Sequence, residues 1–345
     1  MKKLLKNLIR KCFFKIYAVA PPPSVELKLN YLCRTLGACN IDFDLIDLRE
    51  FQQRGGDYFP NYIFPKSWNE KVGYYKSNYY TRSPISTAVD HKWLAKKITE
   101  KWVGEQYVVP TFGIWDKATD INWDKLPKSF VLKSCIGFQG KHVIVVNDKD
   151  SINKKEITAA MQGYIDNHCS GFTRKKIIAE MLLLNRDGTM PFQYEFYCGR
   201  GNPLVCRINM ATQTKFNTQT TKLLFYDIHN WQKLPIQYYL DAFGGSGGLV
   251  PNDGDVECPL NLDKLLSVAS QISSHLPISR IDLYLIDKQV FVGEITIYPG
   301  GGFSPIVPSE WDFRLGQDAG NVITARELDK MIDHDKREFS LNEIK

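Results

Sequence analysis

The chain has 345 residues, of which 43% are apolar, 24% charged and 12% aromatic. That suffices for two or three lobes with substantial cores and excludes a disordered or fibrous chain. The formal net charge of +6 is local: residues 1–20 carry Lys2, Lys3, Lys6, Arg10, Lys11 and Lys15 and no acid, which leaves the rest neutral. A neutral body excludes a protein that tracks nucleic acid, because displacing counterions needs basic surface.

In chain order, Leu5, Leu8, Ile9, Cys12, Phe13 and Ile16 follow helical spacing opposite Lys3, Lys6 and Arg10, ahead of Pro21-Pro22-Pro23. This predicts a basic amphipathic helix over 1–20, resting on the inner membrane leaflet or packed on the protein's own body. Lys11 and Lys15 interrupt any signal-peptide stretch and no run is long enough to span a bilayer, so the expected location is cytoplasmic. Residues 21–90 read as aromatic- and loop-rich, their rings filling a core or stacking on sugars. Helical spacing follows from about 90 to 103.

Strand signals then come in pairs. Phe130–Lys133 and His142–Val146 flank a glycine turn at Gly137-Phe138-Gln139-Gly140. A helix over about 153–167 and a strand over 176–183 lead to a hairpin with arms 193–198 and 203–209. A helix near 262–275 precedes a last hairpin, 280–286 with 290–297. The stretch 244–248 reads as a mobile glycine loop. Strand pairs interspersed with helices predict an α+β fold. The eight cysteines form no CxxC pair, so zinc-ligand spacing is absent and buried, reduced thiols are expected.

The last hairpin carries the chemistry. With a three-residue turn at Asp287-Lys288-Gln289, Ile286 faces Val290, Asp282 faces Glu294 and Arg280 faces Thr296, all four on one side. Opposed carboxylates on an apolar hairpin repel. A hard cation between them resolves the conflict, since Mg²⁺ takes one or two carboxylates and completes its shell with water and phosphate oxygens. The alternative is a solvated acidic face. In the first hairpin, glycines let backbone N–H groups approach an anion, with Lys133 and Lys141 at either side. The pattern is not a Walker loop, because His142 follows Lys141.

The order of these elements resembles the ATP-grasp superfamily, and within it the teichuronopeptide-biosynthesis (TupA-like) branch found among bacterial surface-polysaccharide genes. The residues that carry the resemblance are Pro65-Lys66-Ser67-Trp68-Asn69-Glu70-Lys71, the stretch Val103–Pro110, Phe225-Tyr226-Asp227 and Gly293–Gly300, over about 60–317. The resemblance implies an ATP-grasp fold, with nucleotide held between two antiparallel sheet lobes. With the basic helix 1–20 read from its spacing, the chain divides further into an N-terminal region 21–110, a central lobe 111–185, a C-terminal lobe 186–317 and a helical tail 318–345, the first ~50 residues and the tail lying outside the resemblance. The resemblance implies ATP and Mg²⁺ as cofactors. Lys92 and Lys133 would hold phosphates under the Gly137, Gln139, Gly140 and Lys141 loop. Glu180, Met181 and Leu182 would hold adenine, chiefly through backbone groups. Asp282, Glu294 and Thr296 would bind the metal, with Arg280 and Lys133 catalytic. Thr296 stands where the superfamily commonly has Asn, and His91 where the branch usually has Asp.

The implied activity is a carboxylate–amine ligase working through an acyl phosphate. It would join an amine or amino acid to a uronic acid of a capsule or O-antigen glycan, presented as sugar nucleotide, lipid-linked repeat or polymer. Three alternatives stand beside it. One is a kinase that stops at phosphorylation, and another a nonenzymatic polysaccharide-binding protein. The third is a glycosyltransferase using an Asp-x-Asp motif, found at Asp42-Phe43-Asp44, Asp253-Gly254-Asp255 and Asp333-His334-Asp335.

Overall fold

The computed structural model describes residues 41–62, 64–135, 142–167, 176–210, 221–240 and 247–339. The basic helix 1–20, Gly137, Gln139, Gly140, Lys141 and the first part of the glycine stretch, Gly244-Gly245-Ser246, lie outside the described residues. Helices occupy much of the span in which loops were expected: α1 (Ile41–Gln53), α2 (Trp68–Tyr75), a π-helical turn at Lys76–Tyr80, and α3 (Ile85–Asp90). The reason is a stripe at helical spacing, Trp68, Val72, Tyr75 and Tyr79, that packs into the main core. Tyr62 and Tyr80 are equally buried, so these rings fill the interior and do not stack on sugars.

The segment Pro65–Lys71 is a clamp. Ser67 caps α2 by accepting from the Glu70 N–H, and the Glu70 carboxylate accepts from the backbone N–H groups of Asn61 (2.7 Å), Lys66 (2.6 Å) and Ser67 (2.9 Å). Asn69 donates twice to buried Asp312 on α7 (Ser309–Asp318), and Lys71 Nζ donates to the carbonyls of Gly316 and Gly320. α2 is thereby tied to α7 through polar groups that are satisfied on both sides. Burial pushes the Asp312 carboxyl up to about 6, while hydrogen bonds from Tyr58 and Asn69 pull it down. An acid raised in the fold favours folding at low pH, and that contribution is lost as pH rises through the raised value. Wild type is therefore expected to lose stability relative to Asp312→Asn between about pH 4 and 6, read as a shrinking difference in Tm.

Two sheets frame the site. The central one has the order β1-β4-β2-β3, from β1 (Thr111–Trp115), β2 (Phe130–Ser134), β3 (Val143–Val146) and β4 (Ile177–Glu180). Phe130, Leu132, Ile177 and Ala179 face a small core under helix α5 (Lys154–Asn167), so Val131, Lys133 and Glu180 face the other way.

The larger sheet has the order β12-β11-β5-β6-β7-β8. Its strands are β5 (Gln193–Gly199), β6 (Asn202–Asn209), β7 (Leu223–Asp227), β8 (Lys233–Leu234), β11 (Ile278–Ile286) and β12 (Gln289–Thr296). Helix α6 (Leu262–Ser273) packs on it, and the α2 stripe joins the same core. A small third sheet joins β9 (Gln237–Leu240), β10 (Gly248–Leu249) and β13 (Ile306–Val307). α4 (Lys92–Val103) borders the central sheet and α8 (Ala325–Glu338) closes the described chain. Among the described residues no helix is long and apolar enough to cross a membrane. Cys135, Cys198 and Cys206 are buried thiols, and Cys258 is exposed.

Candidate active site

The decisive hairpin keeps the expected pairing by an unexpected route. Ile286 pairs with Gln289, so the turn is Asp287-Lys288, two residues and not three, with Asp287 at φ 55°. The register then shifts between Asp282 and Leu283, where Gly293 is the extra residue of a bulge. Short turn and added residue cancel. Asp282 stands opposite Glu294, and Arg280 opposite Thr296. A Cβ at Gly293 would lie 2.6 Å from the Tyr284 ring, so only glycine leaves that ring its place.

Sheet pairing extends the acids into a row across four strands: Glu294, Asp282, Glu195 and Arg207. Asp282 is fully buried and receives both arms of the Arg280 guanidinium, at 2.7 Å each, while Arg280 Nη2 also donates to Thr296 Oγ1 at 3.2 Å. Glu195 accepts from Arg207 Nε and, at 3.0 Å, from Asn209. Burial raises the pKa of Asp282 against the pull of Arg280, and Glu195 and Glu294 push the same way as burial. Glu294 itself is exposed at the cleft. Glu195, Arg207 and Asn209 escaped the sequence reading. Their signal was there: polar residues two apart on otherwise apolar hairpin arms.

The facing wall comes from the central sheet and α4. Lys92, Ala95, Lys96 and Thr99 line the cleft at i, i+3, i+4 and i+7. His91 caps the helix through its ring nitrogen, and Lys92 N donates to Cys135 O at 3.1 Å, which docks the helix start on the end of β2. Burial lowers the Lys92 pKa, with Glu294 and Asp90 opposing and Lys133 assisting. The carboxylate of Glu180 is gripped by Lys96 (2.9 Å) and by Lys133. Glu180 thus presents its side chain to the cleft. Its pKa is lowered despite the desolvation that opposes this, because the two lysines outweigh it. Met181 N donates to Pro110 O at 2.9 Å, and Met181, Leu182 and Leu183 border the cleft.

The cleft enclosed by these walls measures about 830 Å³, within the range of small-molecule sites. It brings together Lys92, Lys133, Glu180, Met181, Leu182, Arg280, Asp282, Glu294 and Thr296. Among the described residues no group of three or more His, Cys, Asp or Glu side chains could hold a metal alone. The donors do suit Mg²⁺: two hard carboxylates at one rung, mutually repelling and one of them buried, with phosphate oxygens and water left to complete the shell. Among the described residues, the Asp-x-Asp motifs at 253–255 and 333–335 find no such setting. Asp253 pairs with Lys222, Asp255 accepts from Tyr226 Oη (2.6 Å), and Asp335 accepts from Tyr79 Oη (2.6 Å). The side chains of Asp42 and Asp44 lie outside the described residues.

The family model described as TupA-like ATPgrasp matches residues 70–319. The chain belongs to the TupA-like ATPgrasp family. ATP and Mg²⁺ are typical of the ATP-grasp fold. Comparison with curated proteins finds no match. Among solved structures, the chain is similar to D-alanine–D-alanine ligase from Bacillus anthracis at 19% identity and a TM-score of 0.40, over 75% of this chain and 70% of that one. It is similar to N5-carboxyaminoimidazole synthetase from Staphylococcus aureus, complexed with ADP, at 15% identity and a TM-score of 0.35, over 61% and 45%. A third is the ATP-grasp ligase PsnB, complexed with a phosphomimetic precursor variant, Mg and ADP, at 9% identity and a TM-score of 0.39, over 91% and 74%.

Proposed function

We propose that this TupA-like ATPgrasp protein is an ATP-dependent carboxylate–amine ligase that joins an amine or amino acid to a uronic acid of a surface glycan. The observation that carries the reading is the acid pair Asp282 and Glu294, set on one rung of the sheet and facing the cleft shared with Lys92 and Lys133. In this reading Asp282, Glu294 and Thr296 hold Mg²⁺, which when bound neutralises charge on the triphosphate.

The residues of the chain do the rest. Lys92 and Lys133 position the phosphates, and Lys133 is steered by Glu180. Arg280, fixed by Asp282 and Thr296, presents its remaining charge to the phosphoryl group in transfer. An acceptor carboxylate oxygen attacks the γ-phosphorus as the bond to ADP breaks, giving an acyl phosphate. The amine then attacks the carbonyl, a C–N bond forms, orthophosphate leaves with the C–O electron pair, and the nitrogen gives up a proton. Met181–Leu183 form the edge against which adenine rests.

ADP release measured against a panel of uronic acids and amino acids, with products weighed, tests the reading. The expected result is ADP formation that needs both substrates, and a product mass equal to the two joined less water. ADP formed with the acid alone and a phosphorylated product would replace the ligase with a kinase.

A further inference from the structure

The part of the cleft beyond the metal row is built from side chains that the reaction above does not use. Arg54 reaches in from the end of α1, ahead of the family-matched segment, with its side chain 12% exposed. Its guanidinium lies over the Phe303 ring at 4.5 Å and the Tyr239 ring at 5.6 Å, donates to Ser304 Oγ at 3.3 Å and meets Glu50 at 3.4 Å. On the adjoining floor, the Arg207 guanidinium lies over Tyr238 at 4.6 Å. Arg207 Nη1 is buried and, among the described residues, has no hydrogen-bond partner, an arrangement that costs free energy unless a ligand satisfies it. The two arginines belong to one surface. Tyr238 Oη lies 2.1 Å from where a Cβ on Gly300 would sit, and that same Cβ would be 2.7 Å from Ser304. The clamp reaches here too, since Asn69 Nδ2 donates to Ser304 O at 3.1 Å.

We propose that Arg54, Arg207, Tyr238, Tyr239, Phe303 and Ser304 form the acceptor site, and that it takes a pyranose ring bearing a carboxylate. The inference rests on the ligase reading and assigns its acceptor end. The rings beneath the two guanidinium groups hold the arginines in place on the cleft wall. Ser304, Asn209 and Gln193, all on the cleft, offer partners to ring hydroxyls. A planar guanidinium matches a carboxylate fork where an ammonium does not. Arg54 then separates uronates from neutral sugars, and it does so from a segment that the family match does not include.

The test is calorimetric titration of the full chain with methyl glucuronoside and with methyl glucoside, each with and without Mg²⁺ and AMP-PNP. Wild type is expected to bind the glucuronoside at least about 10-fold more tightly than the glucoside. Arg54→Ala should lose that preference while AMP-PNP binding stays unchanged, and Arg54→Lys should recover part of it. Arg54→Gln, which keeps a donor for Ser304, guards against a folding defect in the alanine variant and should also lose the preference. Equal affinity for the two glycosides in wild type, or full preference in folded Arg54→Gln, would overturn the proposal. Wild type that binds glucuronoside but not Mg²⁺ and AMP-PNP would overturn the ligase reading and leave the carboxylate site standing.

Discussion

Glu294→Gln is expected to lower Mg²⁺-dependent ADP release by about 100-fold or more, with Tm shifted by no more than about 2 °C. The side chain is exposed, so its charge is not part of a buried ion pair. It is therefore the clean test of the metal row. Asp282→Asn should also stop turnover, but it will not leave folding alone. Asp282 is fully buried and holds both arms of Arg280, and removing one partner of a buried pair costs about 3–5 kcal/mol. ADP release and thermal melting, measured on both variants, separate the two effects. A wild-type rate in Glu294→Gln would remove the metal assignment, and with it the argument for nucleotide at this rung.

A second large effect is expected far from the reacting atoms. Glu70→Ala strands the backbone N–H groups of Asn61, Lys66 and Ser67, which converge on one carboxylate that is 3% exposed. Each stranded donor costs about 1–3 kcal/mol, so the loss should reach at least about 3 kcal/mol, or roughly 6–12 °C in Tm. Glu70→Gln keeps one acceptor oxygen and should recover part of this. Because Asn69 on the same turn supports Ser304, the alanine variant should weaken glucuronoside binding more than nucleotide binding. An unchanged Tm in Glu70→Ala would show that the clamp contributes nothing.

The Pro65–Lys71 segment, on which part of the resemblance rests, serves the packing of the fold. Trp68 packs on Tyr197 in the core with ring centroids 5.2 Å apart, Asn69 and Lys71 bind α7, and Glu70 closes the preceding loop. All of this serves to hold the wall of the cleft in place.

Local patterns determined a good deal. Two-residue alternation on the last hairpin was enough to put Asp282 opposite Glu294 and Arg280 opposite Thr296, even with the turn length misjudged, because the bulge at Gly293 restored the lost residue. Helical spacing likewise marked α4, α5 and α6 to within a few residues. Those signals are local, so a linear string contains them. Tertiary structure alone decided the rest, because it depends on which separate elements meet. The Glu180 carboxylate finds Lys96 and Lys133 only once α4 lies against the central sheet. The row from Glu294 to Arg207 exists only because β5 pairs with β11, a strand far along the chain. Arg54 and Arg207 share one wall for the same reason: the contact that unites them runs through Tyr238, Gly300 and Ser304, and no spacing in the sequence encodes it.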